Sequence, residues 1–425
     1  MKRIEIEEVM MFSLGAVVLA AGKGKRMKSS LPKVLLPVLG RPMLFYVLDN
    51  LAFVSEVVVV GGYGFDELER HLQGYPMACL LARQEKQLGT ADAAKAGLSA
   101  LGDSEYVVIA CGDMPLIRQE YIESLAKEVV SQKALGGLLY AKTEEKTSLG
   151  RVFFKDDKVE KIVEASDIDE KDTACVNTGL YVVQRAFLES ALEGVSNDNR
   201  QGEFYLTDIV SQAYQKGQPF LARECPFKMA LGANSRRDLA DIEKFLLNEK
   251  IGSLLDKGIS ILKPESVYIE WDVEIGEGTT ILPFTVIRRD VKIGKACQIG
   301  PFAHIRPKSI IGDNACVGDF VEVNRTEFKS GAQAKHLAYL GDATIGEKAN
   351  IGAGVITANY DGRAKHKTEI GKNAFIGSGA ILVAPCEVQE TGILGAGAVL
   401  TKGKKVGKGE VFIGVPAREQ KKGVG

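Results

Sequence analysis

Residues 269–305 read IEWDVEIGEGTTILPFTVIRRDVKIGKACQIGPFAHI, with an isoleucine at every sixth position from Ile269 to Ile305. The rhythm continues through Ile311, Val317 and Val323. A helix repeats about every 3.6 residues and a flat strand every two, so a period of six excludes both. Three such units close one triangular coil. Each aliphatic residue fills a narrow prism, and small residues such as Gly276, Gly294, Gly312 and Gly377 turn its corners. The predicted fold over residues 259–425 is a left-handed parallel β-helix. The rhythm lapses after Val323 and returns at Ile345 and Ile351. This predicts a looped-out segment carrying Lys335, His336 and Tyr339. A second irregularity, a one-residue slip, falls at Asn359-Tyr360-Asp361-Gly362, after which Ile370, Ile376, Leu382, Val388, Leu394, Leu400, Val406 and Phe412 complete the series.

Moving toward the N-terminus, Leu239, Ile242, Phe245, Leu246 and Leu254 recur at helical spacing between charges. One amphipathic linking helix is expected over 236–258. Residues 1–235 have a third grammar. Short apolar runs (Ala16–Leu19, Val57–Val60, Tyr106–Ala110, Leu180–Val183) alternate with helical patterns over Met43–Ala52, Tyr121–Val130 and Leu206–Tyr214. Apolar strands separated by helices imply an α/β Rossmann-like domain with a mostly parallel sheet covered on both faces. Its ligands belong in the loops at the carboxyl ends of the strands.

The chain of 425 residues exceeds one ordinary core. A formal net charge of -1 provides no basic field for nucleic acid, so phosphate binding requires a local site. Seven scattered cysteines form no C-x-x-C pair, which argues against a disulfide framework or a zinc ribbon. The opening MKRIEIEEVMMF mixes acids with apolar residues and does not read as a secretory signal; Met10 and Met11 suggest an extension or a later start. No apolar run is long enough to insert in a membrane. The expected location is cytoplasmic.

Chemistry concentrates after the first strand, in Leu19-Ala20-Ala21-Gly22-Lys23-Gly24-Lys25-Arg26-Met27, where glycines admit phosphate to backbone N–H groups and cations supply charge. It is neither a Walker A loop nor G-x-G-x-x-G. Lys33 follows in LPKVLLPVLGRPML, and Asp113 in Cys111-Gly112-Asp113-Met114-Pro115-Leu116. Gln84, Gln87-Leu88-Gly89-Thr90-Ala91, Gly150-Arg151, Glu164, Val176-Asn177-Thr178-Gly179 and Gly202-Glu203-Phe204-Tyr205-Leu206-Thr207-Asp208 come in order. Taken alone, Asp113 and Asn177 read as turn residues and Glu164 as a solvated charge. Together with the β-helix, this series resembles the bifunctional N-acetylglucosamine-1-phosphate uridyltransferase/glucosamine-1-phosphate N-acetyltransferase family over nearly the whole chain.

The resemblance implies uridylyl transfer from UTP to N-acetylglucosamine 1-phosphate with release of pyrophosphate. It implies Mg²⁺ on Asp113 and Asn234. Arg26 then stabilises the transition state, and Leu19, Ala20, Ala21, Gly22, Lys23, Lys33, Gln84, Gly89, Thr90, Gly112, Gly150, Glu164 and Asn177 bind nucleotide and sugar. Asp92 stands where the family usually has histidine, and Cys111 where an aromatic precedes Gly-Asp.

For the second half, Lys335-His336-Leu337-Ala338-Tyr339-Leu340-Gly341-Asp342 resembles the family's H-L-x-Y-L-G-D signature, in which the histidine is the base. The implied reaction is acetyl transfer from acetyl-CoA to glucosamine 1-phosphate. By resemblance Arg306, Tyr339, Asn350 and Lys365 bind the amino sugar. Ala353, Asn359, Tyr360, Ser378 and Ala396 bind acetyl-CoA, between neighbouring subunits of a homotrimer. Asn324 replaces a lysine and Gly414 an arginine of the family pattern, with Arg418 close behind. These departures favour the alternative, a single-activity sugar-1-phosphate nucleotidyltransferase whose β-helix serves oligomerisation or regulation; His336, Asn350 and Tyr360 favour two activities.

Overall fold

The computed structural model describes residues 13–145, 147–168 and 173–420, so the reading of Met10 and Met11 lies outside it. The chain divides into two compact units, Met1–Glu243 and Lys244–Gly425.

The first unit is built on a nine-stranded sheet. In chain order its strands are β1 (Leu14–Leu19), β2 (Glu56–Gly61), β3 (Leu80–Arg83), β4 (Tyr106–Cys111), β5 (Gly136–Lys142), β6 (Arg151–Lys155), β7 (Lys158–Val163), β8 (Cys175–Gln184) and β9 (Leu221–Glu224). The order across the sheet is β9-β5-β8-β4-β1-β2-β3, with the β6–β7 hairpin attached to β8. Strands β1 to β4 are mutually parallel, and β9 is parallel to β5. The long strand β8 runs antiparallel to both β4 and β5. The apolar runs have no polar alternation because both faces are covered. Val17, Val58 and Ile109 pack into the core on one face; Val18, Val59 and Val108 pack into the core on the other.

The helix expected over 236–258 runs Arg236–Asp256. Ile242 and Leu246 are buried, and Ile251 and Leu254 join the core of the second unit. Phe245, read as part of the apolar face, is exposed.

The second unit is built on three ladders of two- to four-residue strands, parallel throughout except for the closing pair Val411–Ile413 and Arg418–Glu419. Ile269, Ile281, Ile287, Ile299, Ile305 and Val323 are fully buried in one continuous core. Corners fall where the backbone turns left-handed, at Phe284, Asp290, Ala296, Phe302, Lys308, Asn314 and Phe320, again six apart. Truncating one prism isoleucine to alanine costs about 2–5 kcal/mol, since neighbouring coils leave little room to collapse.

The looped-out segment expected between Val323 and Ile345 does not exist. Phe328, Ala334 and Leu340 take the inward positions there, and strands Glu327–Phe328, Gln333–His336 and Tyr339–Gly341 continue the ladders. The coil merely shortens. Ile299 pairs with Val317, eighteen residues on, whereas Phe328 pairs with Ile345, seventeen on. Two five-residue sides, ending at the left-handed corners Arg325 and Asp342, put the pattern out of phase. The apparent one-residue slip at 359–362 is the true excursion. Ile345 pairs with Ile370, twenty-five residues on, and the surplus leaves the prism between Asn359 and Lys367, closed by a Tyr360–Lys365 bridge.

Candidate active sites

Leu19, Gly61, Arg83 and Cys111 end four parallel strands, so the loops behind them open along one edge of the first unit. The loop after β1 is held from several sides. Ala20 N donates to Val60 O (2.9 Å), Gln87 Nε2 to Ala21 O (2.9 Å) and Arg236 Nε to Met27 O (3.1 Å). Gly24 adopts φ 59°, and a Cβ there would sit 2.8 Å from Lys33 Cβ. That glycine is what lets the loop fold back over Lys33.

The cleft has two lobes sharing Leu19, Thr90, Cys111, Asp113 and Asn234. The outer lobe, about 560 Å³, is lined by Ala20, Ala21, Gly22, Lys23, Arg26, Lys33, Gln84, Gln87 and Gly89. The inner lobe is lined by Gly150, Glu164, Asn177, Tyr181 and Thr207. Of the residues read from the sequence, Gly112 alone lines neither lobe; it packs beside Leu44 and the Leu19 carbonyl.

Lys33 Nζ donates to Asp113 Oδ2 and lies 3.5 Å from Asn234 Oδ1. Burial works against the ammonium, but Asp113 outweighs it and holds the Lys33 pKa above the ordinary lysine value. Two hard oxygens, 121 positions apart in the chain, thus face one cation. Arg26 is exposed and has no ion pair among the described residues; Lys23 lies 5.3 Å from the Tyr63 ring centroid. Cys111 stays a neutral thiol, burial pushing it up to about 12.

In the inner lobe Thr207 Oγ1 donates to Glu164 Oε1 at 3.2 Å. Burial pushes the Glu164 carboxyl above the ordinary range, against the Thr207 bond and with repulsion from Asp167, Asp208 and Glu203. Asn177 Nδ2 donates to Tyr181 OH (2.7 Å), and Asn177 Oδ1 accepts from Gly179 N (3.0 Å), leaving one amide hydrogen for a ligand.

In the second unit His336 ends the strand Gln333–His336 and is exposed, its ring without a hydrogen-bond partner among the described residues. Ala334 pairs with Ile351, Ile351 with Ile376 and Ile376 with Leu394. Two residues further on, His336, Ala353, Ser378 and Ala396 therefore stand in one column, rising about 4.8 Å per coil. Asn350 belongs to the same face of the prism as His336, whereas Tyr339 and Arg306 belong to the next face and its end. Arg306 Nη1 donates to Glu322 Oε1 (2.8 Å). Arg325 grips Asp342 through Nε and Nη2 (2.6 and 2.7 Å), and Asn359 Nδ2 also donates to Asp342. Asn324 Oδ1 accepts from Arg325 Nη1 at 2.9 Å. Lys365 and the exposed Tyr360 lie in the excursion. The other histidines have different surroundings: His71 bonds Glu67 O, His366 bonds Asp361, and His304 is half-buried with Nε2 unpartnered. Arg418 lies across a β-pair from Ile413, beside Gly414.

Residues 16–242 match the MobA-like NTP transferase domain, and 272–303 and 290–325 match the bacterial transferase hexapeptide repeat. The chain is 38% identical to the bifunctional protein GlmU of Exiguobacterium sp., over 91% of this chain and 94% of that protein. It is 40% identical to the bifunctional protein GlmU of Pelotomaculum thermopropionicum, over 88% and 90%. The chain belongs to the family of bifunctional N-acetylglucosamine-1-phosphate uridyltransferase/glucosamine-1-phosphate N-acetyltransferases. In this GlmU relative the sequence reading missed Thr207 and Tyr181 as side chains of the inner lobe, and Asp342 as the hub of the β-helix network. Thr207 and Asp342 lay inside quoted motifs without a role. Tyr181 sits within an apolar strand and gave no signal.

Proposed function

We propose that the first unit joins UTP and N-acetylglucosamine 1-phosphate to UDP-N-acetylglucosamine and pyrophosphate. The second unit acetylates glucosamine 1-phosphate from acetyl-CoA. The observation that carries the first activity is the convergence of the glycine-rich loop, Gln84, Asp113, Asn234 and Glu164 on one two-lobed cleft. A sugar-phosphate oxygen attacks the α-phosphorus in line while the bond to the β-phosphate oxygen breaks. The nucleophile is already ionised, so no general base is needed. The work is charge neutralisation and alignment. Lys23 and Arg26 hold the triphosphate, Arg26 on the charge that develops; Lys33 supports the phosphates, and Glu164 and Asn177 orient the sugar. The carboxylate of Asp113 and the amide oxygen of Asn234 suit Mg²⁺, which takes one or two protein oxygens beside phosphates and water. That they already face an ammonium supports the fit. Bound there, Mg²⁺ would neutralise phosphate charge.

For acetyl transfer, His336 accepts a proton from the attacking amine, a C–N bond forms at the thioester carbon, and the C–S bond breaks to release CoA. The column of Ala353, Ser378 and Ala396 above His336 supports a groove for the CoA arm, and Arg306, Tyr339, Asn350 and Lys365 are assigned to the amino sugar. Because these residues occupy two faces of the prism, we infer that a homotrimer joins them between subunits. Seven free thiols support a reducing, cytoplasmic setting. The test follows pyrophosphate and free thiol in parallel assays. Asp113→Ala should lose pyrophosphate release, and His336→Ala should lose thiol release. Thiol release absent from the wild type would reduce the β-helix to an assembly domain.

A further inference from the structure

Gln84 follows β3 at the rim of the outer lobe and is 6% exposed. Its amide nitrogen has two hydrogens, and both are used. One is donated to Gly89 O at 3.0 Å, the other to Asp92 Oδ2 at 2.7 Å. Both partners can only accept. A backbone carbonyl and a carboxylate offer no hydrogen, so the reverse orientation of the amide would set oxygen against oxygen. Both acceptors come from one place: Gly89 caps the helix Thr90–Ala100, and Asp92 is its third residue, where the helix N-terminus favours negative charge. The amide is therefore fixed with Oε1 as its remaining group. Among the described residues Oε1 has no donor, and Gln84 lines the cleft.

We propose that Asp92 is a positioning residue that sets nucleobase choice by locking Gln84 to present an acceptor. The inference rests on the reading above that the base meets Gln84. An acceptor selects bases whose ring edge carries an imino N–H. Uracil N3 donates; cytosine N3 and adenine N1 accept and would face Oε1 with a lone pair. An unmatched buried pair of this kind costs about 10- to 100-fold in kcat/KM.

The full chain is assayed for pyrophosphate release with N-acetylglucosamine 1-phosphate and UTP, CTP, ATP or 3-methyluridine triphosphate, which lacks the N3 hydrogen. The wild type should favour UTP over the other three by about tenfold or more. In Asp92→Asn the new amide can donate to Gln84 Oε1, which removes one of the two contacts that forbid the reversed amide and leaves only Gly89 O against it. The UTP-to-CTP ratio of kcat/KM should then fall at least about tenfold, partly through a gain on CTP and partly through a rise in KM for UTP. A purely structural role would lower all nucleotides together. An unchanged ratio in Asp92→Asn, or wild-type turnover of 3-methyluridine triphosphate equal to UTP, overturns the proposal. The methylated nucleotide needs no variant and so stands if Asp92→Asn misfolds. A wild type active with UTP that fails only these arms leaves the uridylyl reading intact; a wild type inactive with UTP rejects both.

Discussion

Glu164, proposed above to orient the sugar, also carries a cost. Burial raises its carboxyl pKa, so the folded chain binds that proton more tightly than the unfolded chain does. The stability it contributes is full below the ordinary glutamate pKa and is lost as pH rises through the raised value. Glu164→Gln removes that dependence. The unliganded variant should melt above the wild type at pH 8, with the gap closing in acid, while KM for N-acetylglucosamine 1-phosphate rises about tenfold through the lost acceptor. Thermal melts at two pH values and steady-state kinetics check both arms, and equal melting at pH 8 would sink the assignment. Gly89 is constrained differently. At φ 129° an added Cβ would lie 2.4 Å from Phe204 O and 2.6 Å from Phe204 N, backbone atoms that cannot swing aside. Gly89→Ala should cost about 2–3 kcal/mol and lower the melting temperature of the first unit by roughly 4–12 °C, read by calorimetry. Such residues were legible as motif letters but not as contacts. The spelling Gln87-Leu88-Gly89 resembles a base-reading segment; it cannot show that Phe204, more than a hundred residues on, is what forbids a side chain at Gly89.

At the scale of elements, the β-helix was written openly in its sixth-position isoleucines, because the prism accepts one large aliphatic residue per side. Where the pattern failed to show, the cause was size and phase. Ala334 is small, and the two five-residue sides move Phe328 one position and Ile345 two positions off the count, so a continuous strand carrying His336 read as a loop. The antiparallel strand β8 was equally hidden, since a run buried on both faces looks the same in either direction. The real excursion is held by Asp342, whose carboxyl is kept below the ordinary range first by Arg325, then by Asn359 and nearby charges. A depressed carboxyl contributes stability above its unfolded pKa and loses it as pH falls through the folded value. Arg325→Met should therefore raise the pH of acid unfolding. At neutral pH it should cost on the order of 1 kcal/mol, the partly exposed pair being discounted for solvent. Freed of its partner, the excursion should be cut faster by trypsin at Arg363 and Lys365, which limited proteolysis against the wild type measures.

At the scale of the molecule, two chemistries share one chain but no residue. Asp113 and Asn234 belong to the first unit and His336 to the second, so on the proposed roles each activity should be removable alone. The product of acetylation is the substrate of uridylylation and is a small soluble anion. If it passes through bulk solvent, Asp113→Ala and His336→Ala chains, each unable to make UDP-N-acetylglucosamine from glucosamine 1-phosphate, should do so when mixed. The mixture should show a lag while N-acetylglucosamine 1-phosphate accumulates, and the lag should shorten as Asp113-competent chain, which consumes that intermediate, is added. The wild type at equal site concentration should show the same lag. Added unlabelled N-acetylglucosamine 1-phosphate should dilute label from glucosamine 1-phosphate in the final product. A wild type without lag or dilution would mean that the intermediate passes between sites without mixing, and the two units would then have to act as one device.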